Sequence, residues 1–263
     1  MRFTKMHGLG NDYLYVYGEV PADVAELSVR LSDRHFGAGS DGMIYIGESD
    51  VADFSMRIFN ADGSEAKMCG NGIRCVGKYV YDKGLTRKTS LAIQTLSGIR
   101  HVELFVEDGV VVAATVDMGM VSVGDAMELL VDGASVSCMP VDVGNPHAVL
   151  LVSDAESAPV DVLGPQLEHH AAFPGGVNVE FVQVIGEREL RMRVWERGSG
   201  ITMACGTGAC ASAAAMVSQG LCPAEEPLTL HLDGGDLSIV VQGSGMVTMT
   251  GPAVTVYEGE VIL

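Results

Sequence analysis

Short runs in which apolar and polar residues alternate dominate the chain. "GMIYIG" (42–47), "DFSMRIF" (53–59), "SLAIQTL" (90–96) and the long "RHVELFVEDGVVVAATVDM" (100–118) are separated by turn signals, and a matching set returns late in the sequence. The Asp-Gly steps within "EDG" and "DGG" fall between alternating runs, as in hairpins, so the sheets are predicted to be mainly antiparallel. Helical periodicity is rarer and falls on 22–34, 70–84, 160–170 and 206–220. The second and fourth of these helices follow a Cys-Gly-x-Gly turn and close on a glycine, Gly84 and Gly220. The fold class that results is α+β.

The two Cys-Gly turns belong to an internal repeat. "RIFN…MCGNG" (57–72) overlays "RVWE…ACGTG" (193–208) at an offset of 136, placing Arg57 on Arg193, Phe59 on Trp195, Asn60 on Glu196 and Cys69 on Cys205. "FGAGSD" (36–41) meets "FPGGVN" at 137, with Asp41 on Asn178, and "GNDY" (10–13) meets "GNPH" (144–147) at 134. Three collinear blocks at nearly one offset predict two copies of one half, related by a pseudo-two-fold axis. The expected division is a first lobe of 1–117, completed by 252–263 and carrying Cys69, and a second lobe of 118–251 carrying Cys205.

Composition narrows the function. The 263 residues hold 16 Lys and Arg against 34 Asp and Glu, and a formal charge of −18 repels nucleic acid and anionic lipid alike. "MRFTKMHGLGND" lacks the apolar core of a signal peptide, and the longest apolar run, "VVVAATV" (110–116), is far below a membrane span. A cytoplasmic setting with no membrane and no nucleic-acid partner is therefore expected. The six cysteines contain no C-x-x-C and fit neither a zinc ribbon nor a disulfide scaffold, so no metal is expected. The five lysines, 5, 67, 78, 83 and 88, lie in no recognisable pyridoxal site, and chemistry without a cofactor follows.

A helix N-terminus offers unpaired N–H groups and partial positive charge, which bind carboxylate and favour a thiolate. If the two halves face each other, a carboxylate held between the helix ends has a thiol on each side of its α-carbon. That is the requirement of a two-base racemisation, in which one group removes the α-proton and the other returns one to the opposite face. The acidity mismatch between an amino-acid α-carbon and a thiol is on the order of ten pK units, at about 1.4 kcal/mol each. Helix dipoles, hydrogen bonds to the carbanion and exclusion of water have to cover it. A buried cysteine is more often a small core residue, and Cys75, Cys138, Cys210 and Cys222 are read that way. His147 reads equally as a core or capping histidine, and Glu196 with Arg197 as a solvated strand end.

Across its whole length the chain resembles the diaminopimelate epimerase family, through "MHGLGNDY" (6–13), "FNADGSEAKMCGNGIRC" (59–75), "GNPH" (144–147), "NVEFV" (178–182), "WERGSGITMACGTGAC" (195–210) and "MTGPA" (249–253). The resemblance implies a cofactor-independent epimerase that converts LL-2,6-diaminopimelate, a small-molecule substrate of lysine and peptidoglycan synthesis, into the meso isomer. It implies Cys69 and Cys205 as the acid/base pair, and His147 and Glu196 as groups that tune the thiols. Backbone amides of Gly70, Asn71, Gly206 and Thr207 are implied as the cradle of the reacting carboxylate. Asn11, Asn60, Asn145, Asn178, Glu196 and Arg197 match the polar set that fixes the amino and carboxylate groups. Two lobes, each a curved sheet wrapped around a central helix, and a homodimer contact at Tyr257 follow by the same resemblance. The chain departs from it at Gly42, where some members carry glutamine, and at Ile201, where many carry glutamate.

Two other readings fit the paired cysteines. Proline and hydroxyproline racemases resemble "MCGHG", with histidine where Asn71 stands, and enclose a small cyclic substrate that has no need of Arg197 and the asparagines. A thiol redox protein, with Cys69 and Cys205 forming a reversible disulfide, is the other.

Overall fold

A computed structural model of the chain describes residues 1–262. It divides into two compact units, one of Met1–Val116 together with the segment from Gly251 onward, the other of Asp117–Thr250. The last residue of the expected return segment 252–263 lies outside the described residues.

The first unit opens with β1 (Arg2–Gly8), β2 (Asn11–Tyr17), α1 (Val24–Ser32), β3 (Gly42–Gly47), β4 (Phe54–Asn60) and the short β5 (Glu65–Ala66). It continues through α2 (Gly70–Asp82), β6 (Ser90–Thr95), β7 (Gly98–Glu107) and β8 (Val110–Met120). β2 with β3 and β4 with β6 pair in parallel, and each parallel step is bridged by a helix, α1 or α2. The pairs β1–β2, β3–β4, β6–β7 and β7–β8 are antiparallel, as the hairpin signals predict. A C-terminal strand, Val254–Glu260, returns to lie antiparallel on β1.

α2 is the centre of this unit, because Ile73, Cys75, Val76 and Val80 are all fully buried against the surrounding strands. Its end is fixed by Gly84 at φ +72°, with Lys83 N–H donating to the Tyr79 carbonyl and Leu85 N–H to that of Val80. Arg74 is also fully buried, so its guanidinium must spend its donors locally: Nη1 on the Gly70 carbonyl (3.2 Å), Nη2 on Asn71 Oδ1 (3.0 Å), Nε on the Pro252 carbonyl (3.2 Å). It binds the first turn of the helix to the returning chain.

The second unit contains β9 (Ser122–Val123), β10 (Met127–Val131), β11 (Ala134–Asp142), β12 (Pro146–Leu151), α3 (Val160–Glu168), β13 (Asn178–Gly186) and β14 (Glu189–Glu196). After β15 (Gly200–Ile201) come α4 (Gly206–Ser218), β16 (Leu228–Leu232), β17 (Gly235–Val241) and β18 (Met246–Pro252). The order of the first unit recurs: β12 pairs in parallel with β13 across α3, and β14 in parallel with β16 across α4. α4 is nearly all small, with Ala209, Ala211, Ala213 and Ala215 fully buried, so strands can close tightly on it. It ends at Gly220 (φ +70°) in the same way as α2.

The ladders adjust one of the repeat blocks. Phe59 pairs with Met43, and its counterpart Trp195 pairs with Val179, so the offset of 136 holds through this region. Asn178 therefore corresponds to Gly42 and not to Asp41. The shared pattern of phenylalanine and glycines in the preceding loops pulled that block one position out of register.

Candidate active site

In the first unit, Cys69 caps α2 from an extended conformation (φ −141°, ψ 114°). Its sulfur accepts the Gly72 N–H at 3.3 Å, one of the donors that a helix start leaves unpaired, and the thiol donates to Asn11 Oδ1 at 3.4 Å. Asn71 Nδ2 reaches the same Asn11 oxygen at 3.5 Å. Asn11 is held in turn by Asp41, whose Oδ2 accepts its amide at 2.9 Å and the Asp12 N–H at 3.0 Å. Arg34 bridges Asp12 and Asp41 at 2.8 and 2.9 Å, and Lys5 reaches Asp12 at 2.7 Å. Burial pushes the Asp12 carboxyl up, but Arg34 and Lys5 outweigh it and hold Asp12 below the usual carboxylate range. Among the expected residues of this half, Asn11, Cys69, Gly70 and Asn71 come together. Asn60 instead gives its amide to Ser64 Oγ (3.1 Å) within its own turn.

In the second unit, Cys205 caps α4 in the same way (φ −114°, ψ 110°), with Gly208 N–H donating to sulfur at 3.3 Å and the Thr207 hydroxyl 3.5 Å from it. Asn145 Nδ2 donates to Thr207 Oγ1 at 3.3 Å, and Asn145 Oδ1 lies 3.1 Å from His147 Nε2. The other ring nitrogen of His147 is 2.7 Å from Glu180 Oε1, and neither side chain has any solvent exposure. Burial, then the carboxylates of Glu196 and Glu180, push the Cys205 thiol well above the ordinary thiol range. Cys75 and Cys138 are each pushed up to about 11 by burial, in keeping with their reading as core residues.

Asn178 is a brace: its Nδ2 donates to the Pro146 carbonyl at 3.1 Å and its Oδ1 accepts the Arg197 N–H at 2.9 Å. Arg197 Nη1 rests on the Gly175 carbonyl (3.0 Å) at the surface. Glu196 accepts the hydroxyl of Thr202, and Ile201 pairs with Trp195 in the β14–β15 ladder. The loop before Cys205 is thus held by a threonine and a ladder although Ile201 brings no carboxylate. The glycine at 42 is required by its backbone, since φ is +153° and a Cβ would lie 2.2 Å from the Phe59 carbonyl oxygen.

Four supporting residues escaped the sequence reading: Arg74, Asp41, Glu168 and Glu180. Glu168 accepts Trp195 Nε1 at 2.7 Å and Gly198 N–H at 2.9 Å, tying down the turn that presents Arg197. Tyr257 lies on the C-terminal strand, half exposed beside Val254 and Val256, with its hydroxyl on the Ala38 carbonyl at 3.2 Å. Among the described residues, no helix is long and apolar enough to cross a membrane.

The fold is shared with solved structures of low sequence identity. A PhzF-family protein from Bacillus anthracis superposes with a TM-score of 0.79 at 16% identity, over 100% of this chain and 99% of that one. A hydroxyproline epimerase from Agrobacterium vitis, solved with trans-4-hydroxy-L-proline, gives 0.75 at 17% identity, over 99% and 90%. Sequence similarity discriminates further. The diaminopimelate epimerase of Acetivibrio thermocellus is 50% identical over 100% of this chain and 99% of its own length. Those of Parabacteroides distasonis and Bacillus subtilis are 52% and 48% identical, each over 98% of this chain and 97% of their own. The family profile described as diaminopimelate epimerase matches residues 3–123 and 139–256, and the chain belongs to that family.

Proposed function

We propose that this protein interconverts LL- and meso-2,6-diaminopimelate without a cofactor, with Cys69 and Cys205 as the acid/base pair. The observation that carries the reading is the recurrence of one device in both units: a cysteine that caps a helix, accepts the N–H three residues on, and opens a glycine-rich first turn. Identity near 50% to epimerases named for this substrate supplies the substrate class.

The reaction needs both thiols to reach one α-carbon from opposite faces. A thiolate takes the α-proton and becomes a thiol, while the C–H electron pair passes into the carboxylate as an enolate. The second thiol gives its proton to the carbon on the other face and is left as thiolate, so protons and charge balance. N–H groups of the first turns at Gly70, Asn71, Gly206 and Thr207 stabilise the developing charge. Burial and two carboxylates push the Cys205 thiol up, so the hydrogen bonds to its sulfur must support the thiolate when it serves as the base; each cysteine is base in one direction and acid in the other. Asn11, Asn60, Asn145, Asn178, Glu196 and Arg197 hold the ends of the substrate, Arg197 by a charged fork suited to a carboxylate. For Asn60 and Asn178 this requires that the amide leave its present partner.

The setting we assign is the cytoplasm and the lysine pathway. The assembly we assign is a homodimer through the strand that carries Val254, Val256 and Tyr257, whose exposed apolar row supports it. An assay offering LL-diaminopimelate and L-proline side by side tests the substrate. Turnover of the first alone is expected, and racemisation of proline alone would overturn the assignment.

A further inference from the structure

A fully buried carboxylate is expensive, and the equivalent place in the first unit shows that the fold can do without it. Gly72 and Gly208 occupy the same position in the first turns of α2 and α4. A Cβ on Gly72 would meet Ile44 Cδ1 at 2.7 Å, whereas one on Gly208 would meet Glu180 Oε1 at 2.6 Å and Cys205 Sγ at 3.2 Å. Ile44 pairs with Ile58 and Glu180 with Val194, so Ile44 and Glu180 are counterparts; Leu14 pairs with Met43 and Ala148 with Val179, so Tyr13 and His147 are counterparts as well. One unit closes this space with isoleucine. The other places a charge there, with Glu180 Oε2 buried and lacking a hydrogen bond.

Such a carboxylate needs a cation. His147 is the group that meets it: both its ring nitrogens face oxygen atoms, Glu180 Oε1 at 2.7 Å and Asn145 Oδ1 at 3.1 Å, so both are placed to donate. The donors can then all run one way: His147 to Asn145, Asn145 to Thr207, and the Thr207 hydroxyl, whose own proton stays available while it accepts from Asn145, toward Cys205 Sγ.

We propose that Glu180 is a positioning residue for proton transfer at Cys205: by accepting the Nδ1–H hydrogen bond of His147 it orients the His147–Asn145–Thr207 chain so that the Thr207 hydroxyl donates to the sulfur. The chain supports the thiolate that Cys205 becomes on giving up its proton. This rests on the reading of Cys205 as an acid/base. The charged and titratable groups facing the sulfur are Glu196 on β14, Glu180 on β13 and, through the chain, His147 on β12. The carboxylates oppose the thiolate directly, so the sign of the effect is diagnostic.

The test is the pH dependence of Cys205 alkylation by iodoacetamide, read residue by residue by mass spectrometry without substrate, so that it does not depend on epimerase activity. Glu180→Gln removes the charge, and Thr207→Val removes the hydroxyl while keeping the backbone N–H. Both should move the alkylation midpoint upward by about half a pH unit, so that alkylation below the midpoint is about threefold slower. Thr207→Ser should restore it. In kinetics with diaminopimelate, both variants should lower kcat with little change in KM. A midpoint that stays or falls in Glu180→Gln, or stays in a folded Thr207→Val, overturns the proposal. Wild-type protein that shows the alkylation pattern but does not turn over diaminopimelate would instead sink the functional reading.

Discussion

The same substitution at two equivalent glycines should have unequal effects. Gly72→Ala and Gly208→Ala each replace the residue three past a capping cysteine, and each gains about 1 kcal/mol of helix propensity. At Gly72 the new methyl meets Ile44 Cδ1 (2.7 Å) and Met56 Cε (3.1 Å), apolar tips that can turn aside for about 1 kcal/mol. At Gly208 it meets Glu180 Oε1 (2.6 Å), the atom pinned by His147 at 2.7 Å. Moving that oxygen breaks a buried pair, for which removal of one partner costs about 3–5 kcal/mol, and a partial displacement should cost about half to all of that. Gly72→Ala should therefore be near neutral, and Gly208→Ala, after its helix gain, should be less stable by about 0.5–4 kcal/mol, or about 1–16 °C in Tm. Thermal unfolding followed by circular dichroism measures both. Equal melting temperatures would refute the claim that a pinned carboxylate lies under α4.

Three further outcomes follow from the contacts. Glu196→Gln removes one of the two carboxylates that push the Cys205 thiol up, so Cys205 alkylation at pH 8 should become several-fold faster, as mass spectrometry would show. Asp41→Ala frees Asn11 from its 2.9 Å contact and should raise KM for diaminopimelate about tenfold, the effect of losing about 1–2 kcal/mol of orientation by a charged hydrogen bond. Asp12 is a carboxylate held below its ordinary range, so its contribution is present above the unfolded-state value and lost as pH falls through the folded one. Asp12→Asn should flatten the acid side of a stability–pH profile below about pH 4.

How much of this was visible in the sequence depended on whether a residue's task left a periodic or positional mark. The two helices behind Cys69 and Cys205 were legible because a glycine turn opens each one and Gly84 or Gly220 closes it. The repeat of the two Cys-Gly turns was legible for the same reason, whereas the parallel steps across α2 and α4 were not, because hairpin signals speak only for neighbouring antiparallel runs. The block at 36–41 slipped by one because a loop carries no ladder to fix its register. Glu180 stayed hidden because β13 is buried on both faces from Asn178 to Val182, so alternation does not tell a polar position from a core one. Arg74 carries no positional mark in the sequence, because its guanidinium binds two backbone carbonyls and the amide oxygen of Asn71, partners that only the folded chain supplies. Asn60 and Asn178 matched the family's ligand set by type and place, and the structure engages both with local partners that no spacing rule could anticipate.

Deuterium transfer from solvent tests whether two thiols act on one α-carbon. Wild-type protein incubated with LL-diaminopimelate in deuterated water should yield meso product carrying one deuterium at the inverted carbon. Early in the reaction, the remaining LL substrate should be nearly free of label. Cys69→Ala and Cys205→Ala should each abolish inversion while leaving the fold intact by circular dichroism. Inversion with solvent deuterium that persists in either variant would rule out a two-thiol mechanism.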